Sequence, residues 1–268
     1  MGLLFRLLAY LPLPVLHNLG AIAGWLAYLL SPTYRRHLRE NIAQAGCESA
    51  RSAAVAEAGK TLAELPKIWL RPQGEVVGRV VKVAGWEHVE AALAAGRGLV
   101  FLTPHLGCFE ICAQYLAKTR PITVLYRRPK QAWLAPIMEE GRGAHLKLAP
   151  ADMSGVRRLL KALKAGEMVG MLPDQAPGVG EGEWASYFGR PAYTMTLAAR
   201  LAQTGATVLL TYAERLHYGA GYHLRFLPPE GDVTTPAGIN REIERLILRC
   251  PGQYLWGYNR YKGQPPAA

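Results

Sequence analysis

The sequence predicts an α/β fold: a mostly parallel central sheet flanked by helices, with an N-terminal hydrophobic membrane helix ahead of it. Three observations carry this. From residue 79 onward, short apolar runs alternate with amphipathic stretches of helical length, the pattern of strand–helix–strand units whose strands are covered on both faces. No internal repeat and no long linker interrupts residues 33–268, which read as one α/β domain. Before it, residues 1–32 form a hydrophobic segment whose only ionisable side chains between Leu3 and Leu30 are Arg6 and His17.

Pro12 and Pro14 split that first segment, leaving an apolar run from Val15 to Leu30. Its 16 residues fall slightly below the roughly 20 that span a bilayer upright. A short span, a re-entrant piece, a helix lying at the interface and a plain core helix all stay open. Arg35, Arg36 and Arg39 come directly after it. They favour keeping the downstream domain on the cytoplasmic side and suit anionic headgroups. "AIAG" at 21–24 imitates a signal-peptidase site, but the apolar run continues through Trp25 to Leu30 and one positive charge precedes it. The segment is therefore read as retained.

Residues 33–72 read as amphipathic helices, the second capped by Ser49 or Ser52. Next come a strand at 80–85, a short helix at 86–96 closed by Gly96, and the continuous apolar strand "GLVFLT" at 98–103 with a helix behind it. A strand is expected at 122–127, a helix over 130–143 and a short strand at 146–150. A helix over 154–166 has Ser154 as cap and Gly166 as stop, and a strand comes after it at 167–173. Residues 175–190 read as a Gly-rich loop. A helix at 194–205, two neighbouring strands within 206–227 and a last helix at 237–250 complete the chain. The two neighbouring strands are expected to form an antiparallel hairpin at one sheet edge.

Lys and Arg number 31 against 20 Asp and Glu, a net charge of +11. That excess asks for an anionic partner: nucleic acid, an anionic membrane surface or an acidic protein. No zinc-finger spacing, RNP-like motif or basic low-complexity tail is present, so the reading is no nucleic acid. Cys47, Cys108, Cys112 and Cys250 form neither a C-x-x-C pair nor a disulfide framework. They read as small buried side chains in a reducing compartment. No metal site and no cofactor is expected.

The chemistry gathers where "GLVFLTP" gives way to a helix. His105 and Glu110 sit at that joint, and ligands of open α/β sheets collect at the carboxyl ends of strands. The two side chains meet only if His105 precedes the helix and Glu110 lies in its first turns, with Gly107 allowing the bend. Glu110 then accepts the imidazole N–H and orients the ring, and the free nitrogen acts as general base. No G-x-S-x-G elbow supplies a nucleophile and no H-E-x-x-H supplies zinc. The base is left to act on a substrate hydroxyl, as in direct acyl transfer. "GVGEG" at 178–182 imitates a dinucleotide loop, but no helical pattern stands directly behind it. The other six histidines, His17, His37, His88, His145, His217 and His223, read as structural or surface residues. Arg157, Arg158, Lys161 and Lys164 share helical spacing and offer a basic face.

His-x-x-x-x-Asp/Glu after an apolar strand, behind a hydrophobic amino terminus, resembles the membrane acyltransferases of glycerolipid and lipid A synthesis. "LYRRP" at 125–129, "GRG" at 141–143, "KALKAGEMVGMLPDQAPG" at 161–178, "YFGRPAYT" at 187–194 and "QYLWGYNRYK" at 253–262 narrow the likeness. They resemble the late acyltransferases of bacterial lipid A (the lauroyl and myristoyl transferases). The likeness covers nearly the whole chain. It implies transfer of a fatty acyl chain from acyl carrier protein to a hydroxyl of a lipid A precursor, at the cytoplasmic face of the bacterial inner membrane. It carries base and orienter onto His105 and Glu110. Its oxyanion- or substrate-binding arginine matches Arg142, with Arg128 as the alternative, and Asp174 matches a site carboxylate pairing with an arginine. Other acceptors (a lysophospholipid, an amino-lipid, a phosphoinositol mannoside), a thioesterase and a non-catalytic membrane-binding relative stay open.

Overall fold

The computed structural model describes residues 2–129 and 131–263. Its centre is a seven-stranded sheet in the order β1 (Val80–Ala84), β9 (Tyr222–Leu227), β8 (Thr207–Arg215), β2 (Leu99–Leu102), β5 (Met168–Met171), β3 (Ile122–Tyr126) and β4 (Lys147–Pro150). Every neighbouring pair is parallel except β8 and β9. The α/β class with a mostly parallel sheet is thus the fold found. The expected hairpin forms, but β1 adds beyond β9, so it lies one strand in from the edge.

Helices cover both faces, which is why the central strands read as unbroken apolar runs. In β2, Val100 and Leu102 face a core with Leu38 and Ile42 of α3 (Pro32–Gln44), Leu159 and Leu163 of α9 (Met153–Lys164), and Ile243 and Leu246 of α11 (Pro236–Arg249). Leu99 and Phe101 face the opposite core. There they meet Trp69 of α4 (Arg51–Leu70), Val89 of α6 (Trp86–Ala95), Ile111 and Leu116 of α7 (Phe109–Leu116), and Met138 of α8 (Leu134–Gly143). Truncating one such Leu or Ile to Ala costs about 2–5 kcal/mol. The helix expected over 130–143 is α8, which begins at Leu134; Lys130 and the chain end 264–268 lie outside the described residues.

Two expected caps are replaced. Helix α4 starts at Arg51 after a short 3-10 turn at Glu48–Ala50, and no serine side chain caps it. Helix α9 is capped by Asp152, whose carboxylate accepts the backbone N–H groups of Ser154 and Gly155 at 2.8 and 3.0 Å. A carboxylate satisfies two orphan donors and favours the positive helix end, which a hydroxyl does less well. The expected Gly-rich loop is largely an antiparallel hairpin of β6 (Gly182–Tyr187) and β7 (Arg190–Met195). Phe188 and Gly189 turn it, both with positive φ (47° and 75°). That is the backbone twist two-residue hairpins prefer, but a Phe there hides the signal.

The N-terminal segment folds as α1 (Gly2–Leu8) and α2 (Leu13–Leu30), with Pro14 in the first turn of α2. By length and composition α2 is able to cross a bilayer. In the structure it packs along α4. Gly20 and Gly24 lie against Val55, Gly59 and Lys60, so closely that a Cβ on any of the three glycines would strike facing backbone. The "AIAG" that imitates a cleavage site contains one half of this small-residue seam. Pointing outward from both helices are Leu4, Leu7, Leu19, Ile22, Leu26 and Leu30, all exposed.

Candidate active site

Strands β2 and β5 are parallel neighbours in register, with Leu102 beside Met171. Each ends in a residue–proline step, Thr103-Pro104 and Leu172-Pro173, where proline has no N–H to continue the ladder. Three residues past the aligned pair stand His105 on one strand and Asp174 on the other. Matched strand ends therefore deliver an imidazole and a carboxylate to the same height. Asp174 Oδ1 lies 2.9 Å from His105 Nδ1, and its Oδ2 accepts the His105 backbone N–H at 3.1 Å. Asp174 is 2% exposed. Burial pushes its carboxyl up, but the charge of His105 and the hydrogen bonds from its ring and backbone outweigh that and hold it below the ordinary carboxylate value.

An ionised Asp174 accepts Nδ1–H, so Nε2 carries the lone pair whenever the ring is neutral. The Gln175 side-chain nitrogen lies 3.3 Å from Nε2, and the Phe109 ring stands edge-on to the imidazole at 4.8 Å between centroids. The ring keeps about a fifth of its surface open (19%).

The expectation that Glu110 orients His105 is corrected here. Glu110 does lie in the first turn of α7, but it points across to α4 and α8. Its carboxylate accepts Trp69 Nε1–H at 3.0 Å, Arg142 Nε–H at 2.9 Å and a second bond from Arg142 Nη2. The Arg142 guanidinium also stands 5.4 Å over the Trp69 ring. Among the described residues Glu110 makes no hydrogen bond to His105, and the arginine partner expected for Asp174 belongs to Glu110 instead.

A narrow apolar cleft, partly open to solvent, runs beneath α7. Thr103, Phe109, Glu110 and Arg142 stand among its lining residues. Arg128 lines no part of it; that side chain is 70% exposed and pairs with Glu139 at 3.3 Å. The cleft floor comes from one row of the sheet, in which Val124, Gly170 and Phe101 are register partners on adjacent strands. Gly170 has no side chain to close the gap between its neighbours.

The carboxyl-terminal "QYLWGYNRYK" block braces both halves of the pair. Leu255 N–H donates to the His105 carbonyl at 3.1 Å, and Gly107 N–H to the Gln253 carbonyl at 3.0 Å. Tyr258 hydroxyl accepts the Ala176 N–H at 3.2 Å. Gly107 sits at φ 60°, and a Cβ there would strike the Ala213 carbonyl. Neither nearby thiol is a nucleophile: burial pushes Cys108 well above the ordinary thiol value and Cys112 up to about 12. Sequence reasoning missed the His105–Asp174 contact, Gln175 and Trp69. The repeated strand–x-Pro–titratable residue pattern, "FLTPH" and "GMLPD", was the available signal for the pair.

A parallel sheet that brings a carboxylate-held imidazole to its strand ends, beside an apolar cleft and away from any thiolate, has the make-up of a general-base site for an apolar substrate. The family model described as bacterial lipid A biosynthesis acyltransferase matches residues 2–263, and the chain belongs to that family. It is 28% identical to the lipid A biosynthesis lauroyltransferase of Escherichia coli (strain K12), covering 97% of this chain and 89% of that protein. To the lipid A biosynthesis palmitoleoyltransferase of the same organism it is also 28% identical, over 95% and 87%. A lipid A biosynthesis acyltransferase of Haemophilus influenzae is 25% identical over 64% of this chain and 56% of its own length.

Proposed function

We propose that the chain transfers a fatty acyl group from acyl carrier protein to a hydroxyl of a lipid A precursor, with His105 as general base and Asp174 as the group that orients it. The observation that carries this is the buried Asp174 carboxylate on Nδ1, which leaves the Nε2 lone pair for a substrate proton. Nε2 takes the hydroxyl proton as the oxygen attacks the thioester carbonyl and the C–O bond forms. Asp174 stabilises the resulting imidazolium. The tetrahedral oxyanion collapses, the C–S bond breaks, and the leaving thiolate takes the proton from Nε2.

The apolar cleft accommodates the acyl chain, with Gly170 as its gauge. An ideal Cβ at 170 lies 3.4 Å from Val124 Cγ1 and 3.5 Å from Ile122 Cδ1, so alanine fits and valine intrudes. Gly170→Val is expected to lower the preference for long over short acyl donors about tenfold or more, with alanine intermediate. Competition between donors of different length, read by mass, checks this. An unchanged chain-length profile removes the cleft from the mechanism.

Carrier protein is acidic, and exposed Arg127 and Arg128 after β3, with Arg157 and Arg158 on α9, offer cations beside the strand ends. Membrane contact falls to the outward face of α1 and α2. Because the glycine seam holds α2 along α4, this face lies in the plane of the interface rather than across it, with Arg36 and Arg39 toward anionic headgroups on the cytoplasmic side of the inner membrane. Ile22→Glu with Leu26→Glu removes about 3 kcal/mol of apolar burial, roughly 100-fold in partitioning. Flotation with anionic phospholipid vesicles should therefore lose the doubly substituted chain. Undiminished flotation rejects this face.

The reaction itself is tested with acyl carrier protein donors and a panel of lipid acceptors, products read by mass. Acylated lipid A precursor is expected. Exclusive product from a lysophospholipid, an amino-lipid or a phosphoinositol mannoside reassigns the acceptor, and free fatty acid alone makes the chain a thioesterase.

A further inference from the structure

An acyl transfer of this kind develops negative charge on the thioester oxygen, and the backbone N–H donors nearest the base are already committed. The backbone N–H of His105 goes to Asp174, that of Leu106 to the Pro104 carbonyl, that of Gly107 to Gln253 and that of Cys108 to Ala213. Arg142 directs two nitrogens at Glu110. Gln175 is different. In the neutral ring Asp174 holds the proton on Nδ1, so the group facing Nε2 at 3.3 Å is a donor, and the Gln175 amide nitrogen is that donor. The acceptor hydroxyl has to take the same lone pair before it can be deprotonated. That displaces the amide N–H from Nε2. The attacked carbonyl must stand within bonding reach of that hydroxyl, so the freed N–H and the developing oxyanion share one small volume.

We infer that Gln175 is a further catalytic residue, whose side-chain N–H holds the base's lone pair at rest and moves to the thioester oxyanion when the acceptor hydroxyl arrives. The inference rests on His105 being the base. A single well-placed donor of this type is worth about 10²–10³-fold in kcat.

The test uses the full-length chain in vesicles with carrier-bound acyl donor and lipid acceptor. Gln175→Ala should lower kcat about 10²–10³-fold with KM for both substrates changed less than about threefold. Gln175→Glu keeps the shape but faces Nε2 with an acceptor in place of a donor. It should lose the same factor and move the acid limb of the kcat/KM profile to higher pH, because a carboxylate there favours the protonated ring. The charged group on the other side of the ring, Asp174, is unchanged in both variants. Imidazole 15N spectra of the wild-type chain should show His105 Nε2 unprotonated and hydrogen-bonded, and a protonated Nε2 at neutral pH overturns the inference whether or not the variants fold. Wild-type kcat and an unmoved acid limb in folded Gln175 variants, with His105→Ala inactive, overturn it while leaving the base in place. Wild-type turnover by His105→Ala would instead remove the reading beneath it.

Discussion

His105→Ala should lower kcat about 10²–10⁴-fold, the range for a general base, in a chain that still folds but melts at a lower temperature than wild type. The ring is partly open and among the described residues makes its polar contacts with Asp174 and Gln175, so its removal deletes few packing interactions but leaves the buried Asp174 carboxylate without its ring partner. Asp174→Asn should lose a similar factor for a different reason. An amide cannot stabilise the imidazolium, and it permits the tautomer that buries the lone pair on the wrong side. Glu110→Gln separates the two carboxylates. It weakens the pairing of Glu110 with Arg142 and Trp69, so its first consequence is a lower Tm and a looser cleft wall, with kcat retained to a larger extent than in Asp174→Asn. Single-turnover rates and thermal melts of the three variants decide the matter. If Glu110→Gln abolished the chemical step at unchanged Tm while Asp174→Asn did not, the orienting role would return to Glu110.

The reasons these carboxylates exchange roles also explain how much of the site is legible in the sequence. The strand–helix alternation was legible because each central strand is buried on two faces, and Leu99 to Leu102 leave no polar residue to blur the pattern. His105 was legible because it stands just past such a strand. Its partner was not, because the contact depends on the register of β2 against β5, which lie far apart in sequence. A local spacing rule selected the nearest carboxylate instead, and α7 turns that one toward Trp69 and Arg142. The same limit applies to α2. Its glycines reveal a seam only when Gly59 of α4 is set opposite them, and His17 looked unpartnered until Glu64 stood 3.2 Å from its Nε2.

Arg215→Met should cost about 3–5 kcal/mol, the expected penalty for leaving buried charge without its partner. Arg215 ends β8 with a fully buried side chain. Its Nε donates to Glu64 at 3.0 Å, its Nη1 to Glu57 at 2.6 Å, and its Nη2 to both Glu64 and Thr61. Glu64 also accepts the Tyr222 hydroxyl at 2.9 Å and faces His17. The cluster thus ties α2 and α4 to the end of the sheet. Burial pushes Glu64 up, but the charge and hydrogen bonds of Arg215, with those of His17, outweigh it and hold the carboxyl at about 2, against an ordinary 4.5. A carboxyl depressed in the folded state contributes stability that is fully present above its ordinary value and lost as pH falls toward the folded one. The difference between wild type and Arg215→Met in chemical denaturation should therefore be largest above pH 4.5 and shrink as pH approaches 2. A variant as stable as wild type at neutral pH, or a difference independent of pH over that window, would show that the cluster does not hold the fold. The effect should also reach catalysis by a route distinct from the loss of a base. The Gln253 side chain bonds both the N–H and the carbonyl of Arg215 at 2.8 Å, and the Gln253 backbone holds Gly107 in the turn that carries His105. Arg215→Met activity should therefore fall in step with unfolding as temperature rises, and recover on cooling, whereas His105→Ala stays inactive at every temperature at which it is folded.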